Sequence, residues 1–129
     1  MSEMNIINIK REISDELIEH VLCCAFEGGI TYWANNVSCK DNNDMKKIGG
    51  WKHEYLTKTK KKDAVMYIHD SESEEKYPIT KKSIIDALQK MDNFNNYRQA
   101  LDRILNETYD ADDADTMVQI ACFKEVIYG

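Results

Sequence analysis

Three sets of residues in this chain are of types that do chemistry. The first is the acidic run Asp110, Asp112, Asp113 and Asp115. Clustered carboxylates suggest calcium. An EF-hand loop needs glycine at its sixth position and glutamate at its twelfth. Counted from Asp110, those positions hold Asp115 and Ala121, so the pattern fails. The plainer use is a helix N-cap followed by first-turn acids, where negative charge meets the positive end of the helix dipole. Asp112 or Asp113 is the expected cap. A magnesium ion or a partner contact is the remaining use.

The second set is histidine and cysteine. His20 and Cys23 lie one helical turn apart. A structural zinc site needs four ligands, normally in close pairs, and the chain has no C-x-x-C pair and no comparable histidine pair. His53 and His69 read as cross-strand neighbours or surface residues. Cys23, Cys24, Cys39 and Cys122 read as reduced thiols, the first two as small hydrophobes in a helical pattern. Cys39, in a polar stretch, is the candidate nucleophile, and its reactivity would need a nearby base or cation. The chain has no nucleophile elbow, no Walker A loop and no dinucleotide-binding glycine pattern. No metal, cofactor or catalytic residue is therefore assigned.

The third set suits binding. Lys58, Lys60, Lys61 and Lys62 could hold phosphates as point charges. Alternatively they are a solvated loop that keeps a sheet edge from aggregating. Asp63 and the net charge of −6 weaken their field. Tyr32, Trp33, Trp51 and Tyr55 offer large contact area with little rotamer cost, and such rings stack on nucleobases. In a small domain they also fill the core. These four aromatics and four lysines are the candidate binding site.

The elements that must position these residues read as follows. Residues 1–13, with Ile6, Ile7, Ile9 and Ile13, suit an extended arm or a short edge strand. Ser14 starts a helix over 15–27 whose apolar face is Leu17, Ile18, Val21, Leu22, Ala25 and Phe26, and Gly28-Gly29 ends it. Ile30, Tyr32 and Trp33 pack beside that end. Residues 35–50 are a polar loop. Residues 51–56 alternate as a strand with Trp51, His53 and Tyr55 on one face, and 64–69 form a stronger strand. The lysine-rich segment 57–63 is the hairpin loop between them. Residues 70–76 form an acidic turn, and Tyr77-Pro78-Ile79 returns as an edge strand, where proline is tolerated. Thr80 caps a second helix with Ile84, Ile85, Leu88 and Met91 inside. A break at 92–96 precedes a third helix with Tyr97, Leu101, Ile104 and Leu105. A fourth holds Ala114, Met117, Val118, Ala121 and Cys122. Residues 123–128 extend that helix or turn into a last strand. The result is a single α+β domain over 1–129, with about three antiparallel strands and about four helices.

Composition excludes other classes. The chain has 129 residues, 43% hydrophobic, with one proline and five glycines. It is long enough for its own core and too apolar for disorder. No apolar run approaches the roughly 18 residues of a membrane span. The start MSEMNIINIKREI lacks the apolar region of a signal peptide. The expected place is the cytosol. Net acidity weighs against general nucleic-acid binding. The small format suits a symmetric homodimer.

The segments FEGGITYWA (26–34), VMYIHDSESEEKYPIT (65–80) and DADDADTMVQIACFKEVIYG (110–129) follow in order along the chain. Together the sequence resembles a family of small uncharacterised phage- and prophage-encoded proteins, many from Firmicutes. The E-G-G-I-x-Y-W segment and the A-D-x-x-V-Q-x-A-x-F-x-E-x-x-Y-G ending are its specific parts, and 35–50 departs from it. The resemblance implies a phage accessory gene expressed in the bacterial cytosol. It brings no activity and no site residues.

Three functions follow as expectations. The first is a non-enzymatic phage accessory protein that binds and neutralises a host protein, as an anti-defence inhibitor. The second is a binder or sponge for a small nucleotide-like ligand. The third is a small enzyme using carboxylates or Cys39.

Overall fold

A computed structural model describes residues 3–5, 7, 9–40 and 42–129. Ile6 of the expected arm lies outside the described residues. Helix α1 spans Asp15–Cys24. Ser14 caps it, its hydroxyl oxygen accepting from the Leu17 amide at 3.1 Å. Leu17, Ile18, Val21 and Leu22 face the core. The expected helix to residue 27 changes character: Ala25–Gly29 is one π-helical turn. There the backbone of Gly29 lies against the start of the last helix. A Cβ on Gly29 would stand 2.6 Å from the Ala111 carbonyl oxygen, so this approach requires glycine.

Strands β1 (Ala34–Cys39), β2 (Met66–Asp70) and β3 (Lys76–Ile79) form one antiparallel sheet in that order. Val37 faces Ile68 across the first pair, and Ile68 faces Tyr77 across the second. The register shifts between Ala34 and Asn36, as at a bulge. β3 is an edge strand, so Pro78 can sit there without breaking an inner ladder. The acidic segment 70–76 turns between β2 and β3 as expected. Asp70 accepts from the Glu72 and Ser73 amides at 2.8 and 3.3 Å, which builds that turn.

The region between β1 and β2 differs from expectation. Residues 35–50 are not simply a loop: they hold most of β1 and helix α2 (Asn42–Lys47). Asparagines are poor strand formers, but pairing with β2 overrides that preference. Gly49 and Gly50, with φ of 100° and 84°, stop α2 in a conformation that other residues resist. Residues 51–56 are no strand. They form a short 3-10 turn, Lys52–Glu54, leading into helix α3, Tyr55–Lys58. Helix lets the neighbours Tyr55 and Leu56 both bury, which a strand would forbid. The lysines therefore lie at the end of α3 and on the way into β2, not at a hairpin tip. His53 is not cross-strand to His69. His69 lies in β2 opposite Asn36, with its ring 2.7 Å from the Ser38 hydroxyl.

Helices α4 (Lys81–Asn93), α5 (Asn95–Leu105) and α6 (Ala111–Phe123) complete the fold, so the described residues contain six α-helices rather than four. Thr80 and Ser83 form a reciprocal capping box on α4. Ile84, Leu88 and Met91 are buried, but Ile85 is 40% exposed, one position off the inner stripe. The cap of α6 is Asp110, not Asp112 or Asp113. Asp113 stands three residues further on and returns its carboxylate to the Asp110 amide, while Arg103 forks onto it at 2.7 and 2.8 Å. Lys124 adopts φ 69° and ends α6. Residues 124–129 then run on as neither helix nor strand.

Candidate functional site

The structure separates the eight candidate residues. Trp33 is fully buried. Its indole N–H donates to Asp115 Oδ1 at 2.8 Å, and its ring stacks on Tyr128 with centroids 5.3 Å apart. The Tyr32 hydroxyl donates to Asp115 Oδ2 at 2.6 Å. Gln119, one turn along α6, donates to Asp115 Oδ1 at 2.9 Å and accepts from the Ile127 and Tyr128 amides. The Tyr128 hydroxyl then donates to Asp70 Oδ2 at 2.5 Å. This is a clasp: it ties the turn after α1, helix α6, the C-terminal tail and the sheet into one unit.

Its ionisation follows from its contacts. Burial pushes the Tyr32 hydroxyl up to about 12, with Asp115 adding to the effect. The bond to Asp70, with burial second, pushes Tyr128 up to about 12. Burial opposes the charge on Asp70, but Tyr128 and the two turn amides outweigh it and hold the carboxyl below the usual range. The two hydroxyls thus act as hydrogen-bond donors and Asp70 as an acceptor. Reading the sequence placed Asp115 only in the acidic run before the last helix, and it missed Asp70, Gln119 and Tyr128. The available signal was Asp115 and Gln119 four apart among the apolar Ala114, Val118 and Ala121.

Tyr55 is also buried, 2% exposed, at the other end of β1. Burial, then Asp44, raises its hydroxyl pKa. β1 runs from Ala34, next to Trp33 of the clasp, to Cys39, whose thiol lies near Tyr55. Of the four aromatics, Trp33 and Tyr55 are core. Tyr32 is 53% exposed with its hydroxyl committed to Asp115, and Trp51 is 61% exposed with its ring beside His53.

The lysines belong to a larger feature. β1 and β2 are antiparallel neighbours that a two-residue turn could join, yet residues 40–65 intervene. Residues 40–63 of this insertion carry eight lysines against four acids, while the rest of the chain carries nine Lys and Arg against 19 acids. All eight lysines are exposed. The insertion is anchored by Tyr55 and Leu56 in the core and by the Thr57 hydroxyl, which donates to Glu19 at 2.5 Å.

Within it, Asp44, Lys47, Ile48, Lys58, Thr59, Lys60 and Lys61 line a cleft of about 500 Å³. Lys58 pairs with Glu54 at 2.9 Å, and Lys61 pairs with the buried Asp44. Among the described residues, Lys47 and Lys60 have no ion pair. Lys62, on the same stretch, is exposed. A second groove, about 280 Å³, lies between the N-terminal arm and helices α4 and α5. Arg11 straps it by bonding Asp92 at 2.9 Å and Asp102 at 2.6 Å.

Among the described residues no group of three or more His, Cys, Asp or Glu is placed to hold a metal. Burial raises the Cys23 and Cys24 thiols and pushes Cys122 up to about 12. Cys39 is not in a loop. It is partly buried at the end of β1, opposite Met66. No described helix is long and apolar enough to cross a membrane. No protein-family model matches this chain, and neither a curated protein nor a solved structure matches it.

Proposed function

We propose that this chain is a non-enzymatic binding protein whose working surface is the basic insertion. Its partner is an acidic surface on a host protein, and its role is that of a phage accessory factor acting as an anti-defence inhibitor in the bacterial cytosol. The observation that carries the surface is the charge partition: a lysine-rich insertion on a strongly acidic body. Such a layout steers an acidic partner to one face and repels it from the others. The exposed Trp51 adds an aromatic contact of the kind enriched at interfaces. The phage setting rests on the resemblance carried by residues 26–34 and 110–129.

A phage deletion strain tests the role. Deleting the gene should reduce growth only in hosts that carry a particular defence system. Complementation with a Lys47→Glu, Lys60→Glu and Lys62→Glu variant that folds normally should fail to restore growth. Equal growth of the deletion strain on all hosts would count against the inhibitor role. Full rescue by the lysine variant would count against the insertion as the surface.

A further inference from the structure

The geometry points to a phosphate-binding site in the cleft between α2 and the end of α3. This rests on reading the insertion as the working surface and names the group that surface recognises. The cleft, about 500 Å³, falls within the range of small-ligand sites. Four lysines line it against one acid, Asp44. Asp44 is only 7% exposed and pairs with Lys61, which fixes one ammonium over the floor. The Thr59 hydroxyl accepts from the Lys61 amide at 3.2 Å and so shapes the turn that carries Lys60 and Lys61. Lys58 is shared with Glu54, and Lys47 and Lys60 face the cleft without an ion pair among the described residues.

The charge that remains decides the ligand class. With Lys58 and Lys61 shared with acids, Lys47 and Lys60 leave about two positive charges, of which a single carboxylate would meet one. A phosphoryl group carries about −1.5 to −2 near neutral pH, and lysines meet it as point charges. One phosphoryl group therefore balances the two ammonium groups that carry no ion pair among the described residues. A long nucleic acid fits poorly, because a strand leaving the cleft would run onto a body with 19 acids against nine basic residues. The ligand is therefore small, or is a phosphorylated group presented by a partner.

Calorimetric titration of the full chain with inorganic pyrophosphate tests this, at low and at physiological salt. Saturable binding that weakens with salt is expected. The Lys47→Glu/Lys60→Glu variant should bind about tenfold or more weakly, a loss of about 1.4 kcal/mol, with an unchanged thermal midpoint. The control Lys10→Glu/Lys82→Glu makes the same change in net charge away from the cleft and should bind as the parent does. No saturable binding by the parent overturns the proposal. Equal weakening by the control pair, or citrate binding as tightly as pyrophosphate, also overturns it. If pyrophosphate fails to bind while the lysine variant still loses activity in the phage assay, the phosphate site falls and the working surface stands. If pyrophosphate binds as expected but that variant restores phage growth, the site stands and the surface reading falls.

Discussion

The clasp and the insertion are built from the same residue types, aromatic rings and charged side chains, and use them in opposite ways. In the clasp, Asp115 is buried and accepts from Trp33, Tyr32 and Gln119. In the insertion, Trp51 and the lysines point to solvent, and among its described residues only Asp44, Tyr55 and Leu56 are buried. A polar group inside a protein must be paired, and pairing several at once locks a geometry. Exposed charge locks little and remains open to a partner. The difference teaches that an aromatic-rich motif and the exposed charge open to a partner need not coincide.

The clasp should break hardest at Trp33. Trp33→Ala removes a fully buried ring and leaves Asp115 without its indole donor. It should cost about 3–5 kcal/mol, read from urea unfolding. Gly29→Ala comes next. Its added Cβ meets the Ala111 carbonyl at 2.6 Å, so the π turn and the start of α6 must separate, at about 1–3 kcal/mol. A loss below the error of a urea melt would show that this contact yields easily.

Acid sharpens the comparison more gently. Asp70 and Asp113 both sit below the usual carboxylate range. At Asp113 burial opposes the charge, and the Arg103 fork together with the Asp110 contacts outweighs it. A carboxyl lowered by folding contributes stability that is whole above its unfolded pKa, about 3.9. That stability is lost as pH falls through the folded value. Urea midpoints should therefore hold near neutrality and drop in acid. Asp70→Asn/Asp113→Asn should flatten that drop, and an unchanged acid limb would contradict the assignment.

Much of the fold was legible because its signals are local. Ser14 and Thr80 carry their own N-cap chemistry, and Pro78 marks its own edge strand. The strand 34–39 was not legible, since Asn35 and Asn36 look like loop residues until β2 pairs with them. Residues 51–56 alternate like a strand, but packing against α1 favours a helix that buries both Tyr55 and Leu56. Trp33 and Tyr55 were offered as binding residues, and nothing local to either could show its burial. The partner of Trp33 is 82 residues away. The lysine run was visible, but its enlargement by Lys46 and Lys47 required α2 to exist.

The most direct test of the account is a urea unfolding comparison of two variants. The first is Trp33→Ala, and the second is Trp51→Ala with Lys47→Glu and Lys60→Glu. The account predicts that the insertion variant stays within about 0.5 kcal/mol of the parent, as exposed positions do, while Trp33→Ala loses several times more. An insertion variant as unstable as Trp33→Ala would contradict it, because the lysines and Trp51 would then belong to the scaffold.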